Sequence, residues 1–157
     1  TFQNEEALIH YFNNFLENFT GDLVIAGSIS SNVNIINGSE KFDNIILLGF
    51  VDDLDTFYAE CRFIITPILS GSGIKIKVLE ALSYGKVVIA TNKALEGINV
   101  VHEKEVLNID LMNNKDLKFS IDNMSSGEYE QISRNAKNFI EKYFSKERLF
   151  SKILKDI

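Results

Sequence analysis

Apolar residues along the chain switch between helical spacing and short continuous runs. Over residues 5–19 they recur every three or four positions, which predicts an amphipathic helix. Helical spacing returns near 54–61 and 74–84, and two apolar stripes predict closing helices at about 128–156. Short apolar runs bounded by Gly, Pro or polar residues predict buried strands at 23–27, 45–50, 62–67 and 86–91, and a weaker strand at 105–109.

The predicted strands are apolar on both faces and are separated by helices. Such strands are typical of a parallel sheet that is covered on both sides. The sequence therefore predicts an α/β fold, a doubly wound Rossmann-like parallel sheet with helices on both faces. Ligands of these sheets bind outside the carboxyl ends of the strands, so the first functional candidates follow Gly27, Phe50, Pro67 and Thr91.

Length and composition favour one acidic domain over residues 1–157, with 45% hydrophobic residues and a formal charge of -6. This charge argues against a nucleic-acid partner, so any anion needs a local site. No run reaches the roughly 18 apolar residues of a membrane span, and the first residues lack a signal-peptide pattern, which favours the cytoplasm. Cys61 has no disulfide partner in the chain and is interpreted as a buried structural thiol.

The Gly-rich stretch at residues 70–73 is a candidate anion site. Its backbone can approach an anion closely, and the next helix points its positive end at the same place. Lys75 and Lys77 lie in the first turn, where a cation costs stability unless an anion is bound. Lys77 near a diphosphate and Glu80 near ribose hydroxyls indicate a nucleotide site. The alternative is a plain loop followed by a solvated Lys77–Glu80 ion pair.

Residues 49–98 also carry a set of motifs that is more specific than any one of its parts. A Gly closes one strand, a Pro ends the next, a Gly-rich loop opens a Leu-Glu-Ala helix, and a Gly-x-x-Val-Ile-Ala-Thr strand and a Glu-Gly pair follow. These positions are Gly49, Pro67, Gly71, Gly73, Leu79, Glu80, Ala81, Gly85, Val88, Ile89, Ala90, Thr91, Glu96 and Gly97. Together they resemble the donor-binding half of GT-B glycosyltransferases, specifically the large retaining group called glycosyltransferase family 4.

The resemblance implies the C-terminal half of a GT-B enzyme that transfers a hexose to a saccharide or lipid-linked acceptor, in surface polysaccharide or glycan biosynthesis. The donor would be a UDP- or GDP-linked sugar, bound as substrate, with no cofactor and no metal. The N-terminal acceptor domain is absent from this chain, so the chain alone is expected to be inactive. It is also expected to dimerise through the open sheet or through a partly exposed apolar stripe formed by Phe144, Leu149, Phe150 and Ile153. The full protein is expected in the cytoplasm or peripherally at the inner membrane face.

The same resemblance implies roles for individual residues. Lys77 would bind the diphosphate and stabilise its developing charge, and Glu80 would accept hydrogen bonds from the ribose; these two are the catalytic candidates. Ser72 occupies the place where the family usually has a first Glu that contacts the donor sugar. The expected donor-binding positions are Gly49, Val51, Gly71, Ser72, Gly73, Ile74, Lys77 and Glu80.

The start of the predicted sheet leaves an alternative open. In the family a strand precedes the first helix and lies in the middle of the sheet, and no residue before Thr1 supplies it, so a gap is expected unless another segment or molecule fills it.

The rival functions are a GT-B-like nucleotide-sugar epimerase domain and a non-catalytic nucleotide-binding or signalling module. Asp53 and Asp55 match a metal-binding spacing but are interpreted as helix-capping residues, and His10 and His102 are not expected to be catalytic.

Overall fold

The computed structural model describes residues 2–15, 21–40 and 42–145. Parallel strands alternate with helices along the chain, which confirms the α/β prediction. The order is α1 (Phe2–Phe15), β1 (Leu23–Ala26), α2 (Val33–Ser39), β2 (Ile45–Gly49), α3 (Leu54–Glu60), β3 (Phe63–Thr66), α4 (Ile76–Ser83), β4 (Val87–Ala90), β5 (Val106–Asn108), α5 (Asn114–Asn123) and α6 (Ser126–Phe144). Short 3-10 turns occur at Ser28–Ser31 and Ile109–Leu111.

The five predicted strands are confirmed, each one or two residues shorter than the apolar run that predicted it. Two helices, α2 and α5, were not predicted because their sequences are rich in Asn, Ser and charged residues. Local capping supports both of them: the Asn32 side chain accepts from the backbone N–H of Asn34 and Ile35, and the Asn113 side chain accepts from that of Asp116. The predicted closing segment beyond residue 145 lies outside the described residues.

The strands form two parallel sheets within the described part of the chain, β1–β2 and β3–β4–β5. This break agrees with the expectation of a gap in the sheet. The two sheets still share apolar packing, because Ile65 of β3 contacts the cluster around Ile25 of β1 as well as the cluster around Ile89 of β4. The candidate ligand positions therefore lie at the carboxyl ends of strands in two sheets that share apolar packing.

The core is densest around β4, whose four residues are all fully buried. Val88 and Ala90 pack in one cluster with Leu82 of α4 and Phe139 of α6. Val87 and Ile89 belong to a second cluster that includes residues of α5. Because β4 is covered on both faces, its sequence is apolar at every position, and this coverage confirms the doubly wound arrangement.

The face of β2 is covered less completely. Ile46, Leu48 and Phe50 alternate along the strand and are 45%, 50% and 82% exposed. Phe144, which the sequence placed in an exposed stripe, is only partly exposed and packs against Phe139 at a ring-centroid distance of 5.9 Å. The other residues of that stripe lie beyond the described part. None of the described helices is long and apolar enough to cross a membrane.

Candidate functional site

The loops after β1 and β2 are joined by hydrogen bonds at the carboxyl edge of the sheet. The N–H of Gly27 donates to the carbonyl oxygen of Gly49 at 2.5 Å. The buried Ser30 hydroxyl donates to the Gly27 carbonyl at 2.8 Å and accepts from the Gly49 N–H at 3.0 Å. These contacts fix the backbone that leads to the half-buried Val51, the position predicted to hold the base through its main chain.

The loop between β3 and α4 adopts a conformation that favours glycine. Gly71 and Gly73 have φ values of 101° and 78°, in the left-handed region that other residues rarely adopt. A Cβ at Gly73 would meet no atom within 4 Å, so the backbone conformation, and not crowding, favours glycine there. The loop therefore leaves open space beside its backbone, as an anion site requires.

Lys75 stabilises this loop and does not belong to the helix. Its backbone is extended, with φ -86° and ψ 101°, so α4 begins at Ile76 and not at Ile74 as predicted. The ammonium of Lys75 donates to the carbonyl oxygens of Ser72 and Gly73 at 3.1 and 2.9 Å. The sequence assigned the diphosphate to Lys77 and no ligand to Lys75, and the structure gives Lys75 a role within its own loop.

Lys77 is the second residue of α4 and is exposed. In the part of the chain that the structure describes, its side chain forms no hydrogen bond or ion pair. The start of α4 also lacks a side-chain cap, whereas α2, α3, α5 and α6 are capped by Asn, Asp or Ser side chains. An uncompensated ammonium and an uncapped helix N-terminus together form a local positive centre in an acidic protein.

Glu80 faces a different partner from the one that the ion-pair alternative proposed. Its Oε2 accepts a hydrogen bond from the Tyr58 hydroxyl of α3 at 3.0 Å, and no Lys77–Glu80 ion pair forms among the described residues. The carboxylate lies one helical turn after Lys77 and is half-buried. The two catalytic candidates are thus close together on α4 but do not form an ion pair with each other.

A second tyrosine–carboxylate contact joins the same two helices. Tyr84 donates to Asp55 Oδ1 at 2.6 Å, and its ring stacks on Tyr58 with a centroid distance of 4.2 Å and an interplanar angle of 16°. The hydrogen bond to Asp55 raises the pKa of Tyr84. Asp53 caps α3 by accepting from the N–H of Thr56 at 3.0 Å, which confirms the capping interpretation.

A shallow cavity of about 440 Å³ lies beside the predicted site at the carboxyl ends of β3, β4 and β5. Neither Lys77 nor Glu80 lines it. It is lined by Ile68, Leu69, Thr91, Asn92, Lys93, Glu96 and Asp110. Sequence reasoning missed Asn92 and Asp110, which meet only because β4 and β5 are neighbours: the N–H of Asn92 donates to Asp110 Oδ2 at 2.6 Å.

The glycine that follows the cavity residue Glu96 lies close to Ile74, at the end of the Gly-rich loop. Gly97 has a φ of 80°, and a Cβ placed there would lie 3.0 Å from Cγ1 of Ile74. Lys93 and Glu96 form an ion pair at 2.7 Å, which lowers the pKa of the Glu96 carboxyl. A side chain at position 97 would crowd Ile74 and require an unfavourable backbone conformation, which gives a physical reason for this glycine.

Comparisons with known proteins show the family and the fold of this chain. Residues 3–123 match the family model described as "Glycosyl transferases group 1". The chain belongs to this family. As a group 1 glycosyl transferase it has a relative of 26% identity over 168 residues, described as an uncharacterized 44.6 kDa protein in the cps region of Klebsiella pneumoniae. The match covers 98% of this chain and 42% of the relative, so the chain spans less than half of that protein.

Solved structures of the same type share the fold. The glycosyltransferase from Rickettsia africae has a TM-score of 0.75 at 21% identity, covering 99% of this chain and 44% of that one. The C-terminal domain of the group 1 family protein LpcC from Francisella tularensis has a TM-score of 0.68 at 14% identity, and the match covers 93% of this chain and 82% of that one. Anabaena HepE in complex with UDP has a TM-score of 0.67 at 15% identity, and the match covers 100% of this chain and 45% of that one. The group 1 chain thus has the Rossmann-like fold of a GT-B C-terminal domain.

The structure brings the predicted site residues of this group 1 domain into two places, after β2 in one sheet and after β3 in the other. Gly71, Ser72, Gly73 and Ile74 form the loop at the start of α4, next to Lys77 and Glu80. Gly49 and Val51 lie at the end of β2. Sequence reasoning missed Tyr58 as a partner of Glu80, because no local pattern links residues on different helices.

Proposed function

We propose that the chain is the donor-binding domain of a retaining glycosyltransferase. The full enzyme transfers a hexose from UDP- or GDP-sugar to a saccharide or lipid-linked acceptor, in surface polysaccharide or glycan biosynthesis. The observation that carries this proposal is the pair on α4: an ammonium without a partner in the described part of the chain, and a half-buried carboxylate one turn further on. The UDP complex of HepE and the cps-region relative support the donor class and the pathway class.

The diphosphate would bind at the positive centre formed by the Gly-rich loop and the start of α4. Backbone N–H groups there and the Lys77 ammonium donate to phosphate oxygens, and both become more favourable as negative charge grows on the leaving diphosphate. Lys75 contributes indirectly, because it holds the carbonyls of Ser72 and Gly73 and so keeps the loop in shape. The chemical work of this domain is charge stabilisation at the leaving group.

The nucleoside would extend from this centre towards β2. The Glu80 carboxylate accepts hydrogen bonds from the ribose hydroxyls, and the backbone near Val51 contacts the base. Ser72 replaces the carboxylate that the family usually places against the donor sugar, so a hydroxyl and nearby amides would contact the sugar here. The acceptor is held by a domain outside this chain, and the chain alone transfers no sugar because no acceptor is positioned against the anomeric carbon.

Calorimetric titration of the chain with UDP, GDP and ADP tests this proposal. We expect one diphosphate to bind, and Glu80→Gln to weaken it more than its 2′,3′-dideoxy analogue, since only the ribonucleotide donates both hydroxyls. Glu141→Gln, which changes an exposed carboxylate on α6, is the matched control and should leave both affinities unchanged. If none of the three nucleotides binds at millimolar concentration, the proposal is wrong.

A further inference from the structure

Tyr58 is a buried side chain whose hydroxyl ends at the candidate ribose site. It lies in the middle of α3, is 5% exposed and packs in the main core cluster. Its hydroxyl donates to Oε2 of Glu80, across 22 positions of sequence. A buried tyrosine hydroxyl needs a hydrogen-bond partner, and here the partner is the same carboxylate that the proposed function assigns to the ribose.

The contact restricts the Glu80 carboxylate in a defined way. A glutamate side chain loses rotamer entropy when it is fixed, and a rigid donor that fixes it beforehand removes part of that cost from ligand binding. Oε1 receives no hydrogen bond from the described residues, and a carboxylate oxygen that already accepts one bond retains a further lone pair. Both carboxylate oxygens therefore retain acceptor positions for the two hydroxyls of a ribose.

The hydroxyl of Tyr58 also stays a donor over a wide pH range. Burial, followed by the hydrogen bond and the charge of Glu80, raises the pKa of Tyr58 above its ordinary value. Its ring is held by the stacked ring of Tyr84 at 4.2 Å and by the edge of Phe57 at 5.6 Å. The donor is thus fixed in position by packing and fixed in protonation state by its surroundings.

We propose that Tyr58 is a positioning residue that sets the preference of this domain for ribonucleotides by holding Glu80 in the orientation that accepts both ribose hydroxyls. This inference rests on the proposed function of Glu80. It assigns a specificity role to a residue that does not itself touch the nucleotide. It also separates Tyr58 from Tyr84, although the two tyrosines form equivalent bonds between α3 and α4.

Tyr84 supplies the matched control for Tyr58. Tyr84→Phe and Tyr58→Phe each remove one phenolic oxygen and one tyrosine–carboxylate bond between the same helices, and each leaves the stacked ring in place. Only Tyr58→Phe releases Glu80. A purely structural role of the α3–α4 contact predicts similar effects of the two changes on nucleotide binding.

The experiment measures the affinity of UDP and of 2′,3′-dideoxy-UDP for the 157-residue chain and its variants, with the GDP pair used instead if GDP is the tighter ligand. Tyr58→Phe should weaken UDP roughly three- to tenfold, as the loss of one hydrogen bond implies, and change the dideoxy analogue less than twofold. Tyr84→Phe should leave both affinities unchanged. In a Glu80→Ala background, Tyr58→Phe should have no further effect.

Each other outcome identifies which claim is wrong. If UDP binds with a Glu80-dependent ribose preference and Tyr58→Phe behaves like the unchanged chain or like Tyr84→Phe, the role of Tyr58 is wrong and the proposed function stands. Equal weakening of UDP and its dideoxy analogue by Tyr58→Phe assigns the effect to packing and also overturns the inference. If neither the UDP pair nor the GDP pair binds the unchanged chain, the inference falls together with the proposed function.

Discussion

Replacing Lys77 by alanine should weaken diphosphate binding and at the same time stabilise the free fold. Both effects follow from one exposed ammonium at the second position of α4, which has no partner among the described residues. Without ligand, the ammonium lies beside the positive end of the helix dipole, which is unfavourable. With a diphosphate bound, the same charge is neutralised by the phosphate oxygens.

The magnitudes follow from the exposure of the side chain. Two unit charges 4 Å apart attract by about 1 kcal/mol in water and by about 4 kcal/mol in partly buried surroundings. For an exposed lysine we expect a loss of about 1–2 kcal/mol, which is roughly a 5- to 30-fold weaker affinity for UDP or GDP. Removal of the dipole penalty should stabilise the free protein by about 0.3–1 kcal/mol, a rise of roughly 1–4 °C in Tm for a domain of this size.

Calorimetry with UDP and with uridine, combined with thermal unfolding of the free chain, measures both effects. Lys115→Ala is the matched control, because Lys115 is the second residue of α5 and carries the same charge in the same helical position. It should change neither affinity and should raise Tm by less, because Asn113 caps α5 and Asp116 lies in its first turn. If Lys77→Ala weakens UDP and uridine equally, Lys77 acts through folding, and if it weakens neither, the diphosphate lies elsewhere.

Three further predictions concern the scaffold. Leu82→Ala removes a fully buried side chain between α4 and β4 and should cost about 2–5 kcal/mol in chemical denaturation; a loss below 1 kcal/mol would contradict the packing. Gly97→Ala introduces strain at a φ of 80° and a Cβ 3.0 Å from Ile74, so it should lower both Tm and UDP affinity, and an unchanged affinity would separate that loop from the donor site. The bonds from Thr56 lower the pKa of Asp53, so its stabilising effect is complete above pH of about 4 and is lost as pH falls through the folded-state pKa. The Tm difference between the unchanged chain and Asp53→Ala should therefore be constant near neutrality and shrink in acid, whereas a difference that grows in acid would reverse this sign.

The sequence predicted those parts of the fold in which local pattern and tertiary environment agree. Val87–Ala90 is apolar at every position because β4 is covered on both faces, so periodicity and burial give the same answer. Hydrophobic periodicity did not predict α2, where seven residues of mixed polarity form a helix that depends on the Asn32 cap. Hydrophobic periodicity carries little information in such a short polar segment.

In the candidate site, too, some features follow from the local sequence and others arise only in the three-dimensional fold. The Gly-rich loop, Lys77 and Glu80 could be proposed from the sequence because they are spaced locally around the start of one helix. The start itself was placed two residues early, since nothing in the sequence shows that Lys75 folds back onto its own loop. The hydrogen bond between Tyr58 and Glu80 joins two helices, and only the three-dimensional fold reveals it.

The most direct test of the central claim is a residue-by-residue map of nucleotide binding by ¹H–¹⁵N chemical shifts during titration with UDP, or with GDP if GDP is the tighter ligand. The account predicts the largest changes at the backbone amides of residues 71–77 and 49–51, with the first group unaffected by uridine because it contacts the diphosphate. Changes that concentrate around the N-terminal ends of β3 and β4, or that leave residues 71–77 unmoved at saturation, would contradict the account.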